Sequence, residues 1–282
     1  MRVAFVLTCH NRKEKTLACL KSIFSILPDA NVYLTDDGCT DGTPNEVIQE
    51  FPSVVIISGN GNLFWSRGMY YAWKEALKSD FDFYVWINDD VILLPFFWEE
   101  LLYCNNIGHN KCIIVGLIKD IKTDSIIYGG TDHYGKLIQE STVPQTITNM
   151  NGNVVLVPRS VINIIGIIDP VYWHDIGDVD YGLVAAKNGI PVLSTRRAIA
   201  LGYSNGKFCR VRKWGVTISQ RFSRLYSPLG APPSILFYFY KKHRGIFYAS
   251  LFYAYLHLIN ILPDSIVKLF WGDKYVEQSH PY

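Results

Sequence analysis

Two adjacent carboxylates, Asp89 and Asp90, interrupt one of the most apolar stretches of the chain, VWINDDVIL. The flanking residues favour a buried strand, and an ionised side chain is costly to bury without a partner. Either the strand ends there and the acids face water, or they hold something positive. Such a pair suits Mg²⁺ or Mn²⁺, which take few protein oxygens and leave room for a ligand's phosphates. An acidic turn that only ends the strand is the alternative.

Short apolar runs alternate with helical repeats over the first hundred residues, which is typical of a doubly wound, mostly parallel α/β sheet. Strands are predicted at residues 3–7, 32–34, 54–57 and 83–87. A polar cluster follows each of them, at residues 8–12, 36–41, 60–67 and 88–90. Because ligands bind at the carboxyl edge of open α/β sheets, the four clusters predict one binding site.

Composition excludes several other classes of protein. The 282 residues carry a net charge of +2, so no global field indicates a nucleic-acid partner. The six scattered cysteines indicate reduced thiols, and the N-terminal apolar run is too short for a signal peptide, so we expect a cytoplasmic protein. Neither G-x-G-x-x-G nor G-x-x-x-x-G-K-[ST] occurs, so a metal ion must do more of the phosphate binding.

The second half of the chain is less regular. Strands are predicted at residues 112–118 and 154–157, with hairpins between them, and a helix at residues 178–188. From residue 228 the composition becomes aromatic and basic, which indicates a domain at 1–227 and a helical extension at 228–282. The apolar residues 246–262 lie at the lower length limit for a membrane span. Preceded by basic residues, they favour peripheral attachment to the inner face of the plasma membrane, with an integral membrane helix as the alternative.

Six motifs in this order resemble those of the family 2 glycosyltransferases, over roughly residues 1–200. They are TCHNR at 8–12, DDGCTDGT at 36–43, GNLFWSRGM at 61–69, NDD at 88–90, NGNVVLVPR at 151–159 and GDVDY at 177–181. Members of this family are inverting enzymes of GT-A fold that use nucleotide-sugar donors. The resemblance therefore implies a GT-A domain and a donor such as a UDP- or dTDP-sugar.

The resemblance also implies roles for individual residues. It implies that Thr8, His10 and Arg12 line the nucleotide pocket and that Asp37 contacts the base. Asn62 and Arg67 would belong to the segment beneath the base and the diphosphate. Asp89 would contact the ribose, and Asp90 would ligate the metal. Two of these motifs could have a structural role instead of a binding role. Asp37 and Gly38 could simply form a turn, since Asp-Gly is a common turn pair, and Trp65 could be a core aromatic.

The acid that matches the family's catalytic base is Asp178, which would remove the proton from the acceptor hydroxyl. The alternative is a helix N-cap, a position that favours Asp. Asp175 and Asp180 are the substitutes for the base, and Asp180 is expected to brace the loop. The acceptor side would comprise Trp173, His174 and Asp180.

Two departures from the family pattern bear on catalysis. Asn88 replaces the first acid of a D-x-D motif, and residues 198–204 contain no His that could ligate the metal. The predicted activity is metal-dependent transfer of a hexosyl or deoxyhexosyl group to a glycan or lipid-linked acceptor in surface polysaccharide assembly. A sugar nucleotidyltransferase and a catalytically inactive glycan-assembly scaffold are the alternatives.

Overall fold

The computed structural model describes residues 1–204 and 209–272, which belong to two compact units, Met1–Ser204 and Asn205–Tyr282. In the first half of unit 1, strands and helices alternate as predicted. They are β1 (Val3–Cys9), α1 (Lys13–Ile26), β2 (Asn31–Asp36), α2 (Thr43–Glu50), β3 (Val55–Ser58), α3 (Phe64–Ala76) and β4 (Phe83–Ile87). The domain division predicted from composition, after residue 227, falls within the second unit.

The remainder of unit 1 adds five strands and three helices among the described residues. They are β5 (Ile92–Leu93), α4 (Phe97–Ile107), β6 (Ile113–Asp120), β7 (Ile126–Tyr128), β8 (Val154–Pro158), α5 (Arg159–Ile165), α6 (Gly177–Lys187) and β9 (Val192–Gly202). All strands join one sheet in the order β3-β2-β1-β4-β8-β6-β9-β5, with β7 paired to β6.

The sheet is mixed. Strands β1 to β4 are mutually parallel, as predicted, whereas β8 runs antiparallel to both β4 and β6. In the β4–β8 register Ile87 lies opposite Val154, so the end of β4 meets the beginning of β8. Residues 88–90 and 151–153 are therefore at the same edge of the sheet.

Both faces of the sheet are covered by apolar side chains, which explains why all five residues of β4 are buried. On one face the ring of Trp86 packs edge-on against Trp73, with the ring centroids 5.2 Å apart. The ring of Tyr181 of α6 lies at the same centroid distance from Trp86. On the other face Phe5 packs against Phe97 of α4 at 6.3 Å. The helices α3 and α6, which carry predicted site residues, are thus anchored through aromatic contacts.

Strand β9 was not predicted, because its charged residues conceal the strand pattern. Glu100 on α4 is 1% exposed and accepts hydrogen bonds from Nε and Nη2 of Arg196 at 3.0 and 2.8 Å. This ion pair holds the pKa of Glu100 at about 2, because the hydrogen bonds to Arg196 outweigh the effect of burial. A bidentate pair of this kind allows a charged side chain to be accommodated inside an α/β sheet.

Unit 2 is helical in its described part, with α7 (Ile218–Tyr226), α8 (Pro233–Arg244), α9 (Ile246–Ile261) and α10 (Asp264–Trp271). The sequence predicts Arg212 and Arg221 in a basic surface region, either a solvated face or one that attracts anionic lipid head groups, but they are 1% and 6% exposed. Both donate to Asp264 and to the carbonyl of Leu262. That prediction is wrong for these two residues, because one acid and one helix-end carbonyl bury both guanidinium groups.

Among residues 1–204 and 209–272, no helix combines the length and apolar character needed to cross a bilayer. Part of the predicted C-terminal extension, residues 273–282, lies outside the described residues.

Candidate functional site

The two acids after β4 share one cation, the guanidinium group of Arg12. Nη1 of Arg12 lies 3.0 Å from Oδ1 of Asp89, and its Nη2 pairs with Asp90. Asp89 is buried and also accepts a hydrogen bond from Oγ1 of Thr16 at 3.2 Å. Burial raises the pKa of Asp89 to about 6 although Arg12 opposes the shift. Two carboxylates facing one guanidinium leave negative charge at this edge when both are ionised.

This donor set fits a hard divalent cation. The side chain of Asp90 is 14% exposed, and carboxylate oxygens are the ligands that Mg²⁺ and Mn²⁺ prefer. Within the described ranges, a group of three potential metal ligands within 4.8 Å of one another occurs at Cys9, Asp36 and Cys39. Asp90 does not belong to such a group. A metal ion on Asp90 would therefore need oxygens from water or from the bound diphosphate.

A second cation, Lys15, lies near these acids and was not predicted. Its Nζ is 5.5 Å from the ring centroid of Tyr203, the residue that follows β9. The charge of Lys15 also lowers the pKa of Asp89, in opposition to burial. The position of Lys15 in TCHNRKEK was the available signal, since one helical turn separates it from Arg12.

Asp37 organises the loop between β3 and α3. Its carboxylate accepts backbone N–H hydrogen bonds from Gly61 at 2.9 Å, Leu63 at 3.0 Å and Phe64 at 2.9 Å. Gly38, at φ 69°, approaches so closely that a Cβ would lie 2.8 Å from the nitrogen of Gly61. The turn that motif DDG forms is thus used to hold the Asn62 loop, while contact of Asp37 with a base stays a prediction.

The remaining predicted pocket residues lie around Asp37. The exposed His10 has Nδ1 2.6 Å from the carbonyl oxygen of Asp37, to which a protonated Nδ1 donates. Oγ1 of Thr8 donates to the carbonyl of Thr35 at 3.3 Å, and the side chain of Asn62 is exposed. The structure therefore brings the loops after β1, β2 and β3 together.

Asn88 connects the NDD motif to the NGN motif. Its Oδ1 accepts from Nε1 of Trp65 at 2.7 Å, and its Nδ2 donates to Oδ1 of Asn153 at 2.7 Å. A backbone bond from Asn88 to the carbonyl of Asn153, 2.9 Å long, reinforces the connection. Because a carboxylate cannot donate, an amide at position 88 suits this network better than the acid of a D-x-D motif. Trp65 also packs edge-on to Trp86 at 6.2 Å, so it belongs to both the core and the site.

Asp178 projects from the first turn of α6 toward the NGN motif. Oδ2 of Asp178 accepts the backbone N–H of Gly152 at 2.8 Å. Burial, followed by the negative charge of Asp175, raises the pKa of Asp178 to about 6, and the hydrogen bond from Gly152 opposes this shift. A carboxylate whose pKa is raised toward neutrality is a suitable general base.

The N-cap alternative for Asp178 is wrong. Helix α6 begins at Gly177, and its N-cap is Ile176, so Asp178 lies inside the helix. Ile176 has φ 59°, a left-handed conformation that is strained for a β-branched residue. Such strain is often retained at functional sites, and here it precedes the candidate base directly.

The loop before α6 is fastened to α3. The backbone N–H of Ser66 donates to the carbonyl of Trp173 at 2.9 Å, and Nε of Arg67 donates to the carbonyl of Pro170 at 3.0 Å. The guanidinium carbon of Arg67 lies 5.1 Å from the ring centroid of Trp173. This loop also carries His174 and leads into α6, the helix of Asp178. Trp173 and His174 therefore lie between Arg67 and Asp178 along the chain's contacts at this edge.

Asp180 braces this loop, as predicted, but its burial contradicts the other predicted role, a contact with the acceptor. It is 2% exposed, and its Oδ1 accepts a hydrogen bond from the hydroxyl of Tyr172 at 2.8 Å. The two predicted substitutes for the base therefore differ in environment, because Asp175 is only partly buried.

Comparison with known proteins agrees with this architecture. The model of the family "Glycosyl transferase family 2" matches residues 4–160. No curated protein matches the chain by sequence. A similar solved structure is GalNAc-T7 with UDP, GalNAc and Mn²⁺, at 14% identity and a TM-score of 0.60, covering 73% of this chain and 44% of that one.

Two further structures are similar over more of the chain. One is S. aureus TarS 1–349 in complex with UDP-GlcNAc, at 11% identity and a TM-score of 0.55, covering 86% of this chain and 72% of that one. The other is the mannosyltransferase PcManGT from Pyrobaculum calidifontis with GDP-Man and Mn²⁺, at 15% identity and a TM-score of 0.52, covering 92% and 70%. At these identities the likeness is one of fold.

Proposed function

The chain belongs to glycosyl transferase family 2 and is a glycosyltransferase by family and fold, and from this premise we propose which reaction it catalyses. The enzyme transfers the sugar of a UDP- or dTDP-sugar to a hydroxyl group, and the configuration at the anomeric carbon is inverted. The observation that carries the proposal is the position of Asp178. Its carboxylate, with a pKa raised to about 6, is hydrogen-bonded to Gly152, and the adjoining Asn153 is bonded to Asn88 beside the two acids. The proposed base and the proposed cation site are thus linked through residues 152 and 153.

In the proposed reaction Asp178 accepts the proton of the acceptor hydroxyl as its oxygen attacks the anomeric carbon. The bond from that carbon to the diphosphate breaks on the opposite face, so the configuration inverts. At pH 7 to 8 a group with a pKa near 6 is ionised, yet it is more basic than an ordinary carboxylate. Burial of Asp178 therefore serves proton transfer directly.

Asp90, backed by Asp89, would hold Mg²⁺ or Mn²⁺, and such an ion when bound neutralises charge on a diphosphate. Support comes from the donor chemistry of these acids and from the Mn²⁺ in the GalNAc-T7 and PcManGT structures. Arg12 and Lys15 supply positive charge at the same edge. Because Arg12 already contacts both acids, an entering cation would displace its guanidinium group or share the two carboxylates with it.

Helix α9 supports a membrane surface as partner. Phe247, Leu251, Leu258 and Ile261 are 77%, 57%, 55% and 54% exposed. Successive spacings of four, seven and three residues place them on one stripe of the helix, while Leu256 faces the unit's interior.

The last turn of α8 precedes this stripe and carries four basic residues: Lys241, Lys242, His243 and Arg244. A basic turn beside an apolar stripe complements an anionic bilayer, as in helices that lie at the interface. It also favours a lipid-linked glycan as acceptor, since that substrate would be held at the same surface.

The membrane partner is tested by sedimentation of the full chain with anionic and zwitterionic vesicles. We expect binding to anionic vesicles, and its loss in Leu251→Glu but not in Ser219→Glu, whose exposed side chain lies on α7 of the same unit. Equal binding by the Leu251→Glu variant would contradict the assignment of this stripe.

The reaction is tested by incubating the chain with UDP- or dTDP-sugars, Mn²⁺ and lipid-linked glycan acceptors, and following products by NMR. We expect a nucleoside diphosphate and a product of inverted anomeric configuration. Formation of pyrophosphate from a sugar phosphate and a nucleoside triphosphate would instead indicate a nucleotidyltransferase. Donor binding without turnover on any acceptor would indicate a scaffold.

A further inference from the structure

Three side chains unused by the proposed reaction gather where β1 and β2 end. Cys9 is the last residue of β1, Asp36 is the last residue of β2, and Cys39 follows in the next loop. The parallel register places Cys9 beside Asp36. The two Sγ atoms are 3.7 Å apart, and all three ligand atoms lie within 4.8 Å of one another.

These separations match those of a tetrahedral metal site. Zinc–sulfur bonds of about 2.3 Å at a tetrahedral angle put two sulfur ligands about 3.8 Å apart. The observed distance between Cys9 and Cys39 is 3.7 Å. A disulfide requires the sulfurs at about 2.0 Å, whereas the observed distance suits a hydrogen bond between two thiols or a metal ion shared by two thiolates.

The surroundings of Cys39 fix the position of its sulfur. The backbone N–H of Asn11 donates to Sγ of Cys39 at 3.2 Å and opposes burial and Asp36, which raise the pKa of this thiol to about 11. Oδ1 of Asp36 accepts the backbone N–H of Cys39 at 2.8 Å, which fixes the carboxylate beside the sulfur. Cys39 is partly exposed while Cys9 is 3% exposed, so an ion can enter from the side of Cys39.

We infer that Cys9, Cys39 and Asp36 form a binding site for a soft divalent cation of the Zn²⁺ class, with water as a fourth ligand. Two thiolates are soft donors, unlike the all-oxygen set at Asp90, and Zn²⁺ also accepts a carboxylate oxygen. The bound ion would join the turn after β1 to the loop after β2. Because His10 and Asp37 belong to those segments, loading this site stiffens the predicted nucleotide pocket.

The test is a titration of the full chain with Cd²⁺, whose bonds to thiolates absorb in the ultraviolet, followed by competition with Zn²⁺. We expect the band to saturate at a single equivalent. Cys39→Ser should weaken binding by about 100-fold or more, since loss of even an indirect contact costs 10- to 100-fold. The control is Cys112→Ser, at a buried cysteine that lies outside this cluster.

Melting curves without metal confirm that both variants are folded, and Zn²⁺ should raise the melting temperature of wild type and Cys112→Ser but not of Cys39→Ser. A band that persists in Cys39→Ser, or that disappears equally in Cys112→Ser, would overturn the assignment, as would the absence of any band. Neither the titration nor the melting curves measure sugar transfer, so none of these outcomes bears on Asp178.

Discussion

Replacing Asp178 by Asn separates its catalytic role from any structural role. The substitution keeps the size of the side chain and one acceptor oxygen, but it removes the base. General bases contribute about 10²- to 10⁴-fold to rate, so we expect a loss of transfer of that size. Donor affinity should remain, because Asp178 acts on the acceptor hydroxyl.

The same substitution should not destabilise the protein at pH 8. In the folded state the pKa of Asp178 is raised from 3.8 to about 6, so ionising it there costs about 3 kcal/mol above pH 6. Asn does not ionise and avoids this cost, while the loss of one hydrogen bond destabilises the variant by about 1 kcal/mol. The net gain is about 2 kcal/mol at pH 8.

The sign of the pH dependence follows from the raised pKa. Stability is lost as pH rises through the pKa values of the unfolded and folded states, so at pH 5 only about half of the ionisation cost is present. For a unit of this size, 1 kcal/mol shifts the melting temperature by about 2–4 °C. We therefore expect Asp178→Asn to melt about 4–8 °C above wild type at pH 8 and about 1–2 °C above it at pH 5.

The assay combines melting curves at the two pH values with transfer rates at saturating donor. Transfer within tenfold of wild type would show that another group is the base. A variant less stable than wild type at pH 8 would show that the carboxylate stabilises the fold, which contradicts the burial argument.

Asp175→Asn should lower the pKa of Asp178, because it removes a nearby negative charge, and so move the acid limb of the kcat/KM profile to lower pH while the plateau remains; an unmoved limb would exclude this coupling. Asn88→Asp should lower the free energy of unfolding by about 1–3 kcal/mol in urea, since it removes the donor to Asn153; a wild-type midpoint would refute the network. Asp37→Ala should accelerate amide hydrogen exchange at Gly61, Leu63 and Phe64, whose N–H groups lose their acceptor, and exchange at the wild-type rate would contradict that anchoring role.

Local patterns were sufficient to predict the parallel half of the sheet. Each of β1 to β4 is an apolar run that ends in polar residues, so position along the strand indicated the edge where Asp37, Asp89 and Asp90 lie. The antiparallel strand β8 was predicted as a strand, but its neighbours were not, because strand order depends on contacts distant in sequence.

The contacts within the site escaped prediction for a related reason. The bond between Asn88 and Asn153 and the bond between Asp178 and Gly152 join residues far apart in the chain, and no periodicity reports them. Charge also misled the sequence interpretation, since Arg212 is buried against Asp264 although isolated arginines usually lie on the surface.

The central claim is that the edge bearing Asp90 holds a metal ion together with a nucleotide diphosphate sugar. Isothermal titration of UDP- and dTDP-sugars, with Mn²⁺ and with EDTA, tests it most directly. We expect Mn²⁺ to tighten donor binding by at least about tenfold in wild type and in Asp178→Asn, and to have no effect in Asp90→Ala. Failure of every nucleotide sugar to bind, or an undiminished Mn²⁺ effect in Asp90→Ala, would contradict it.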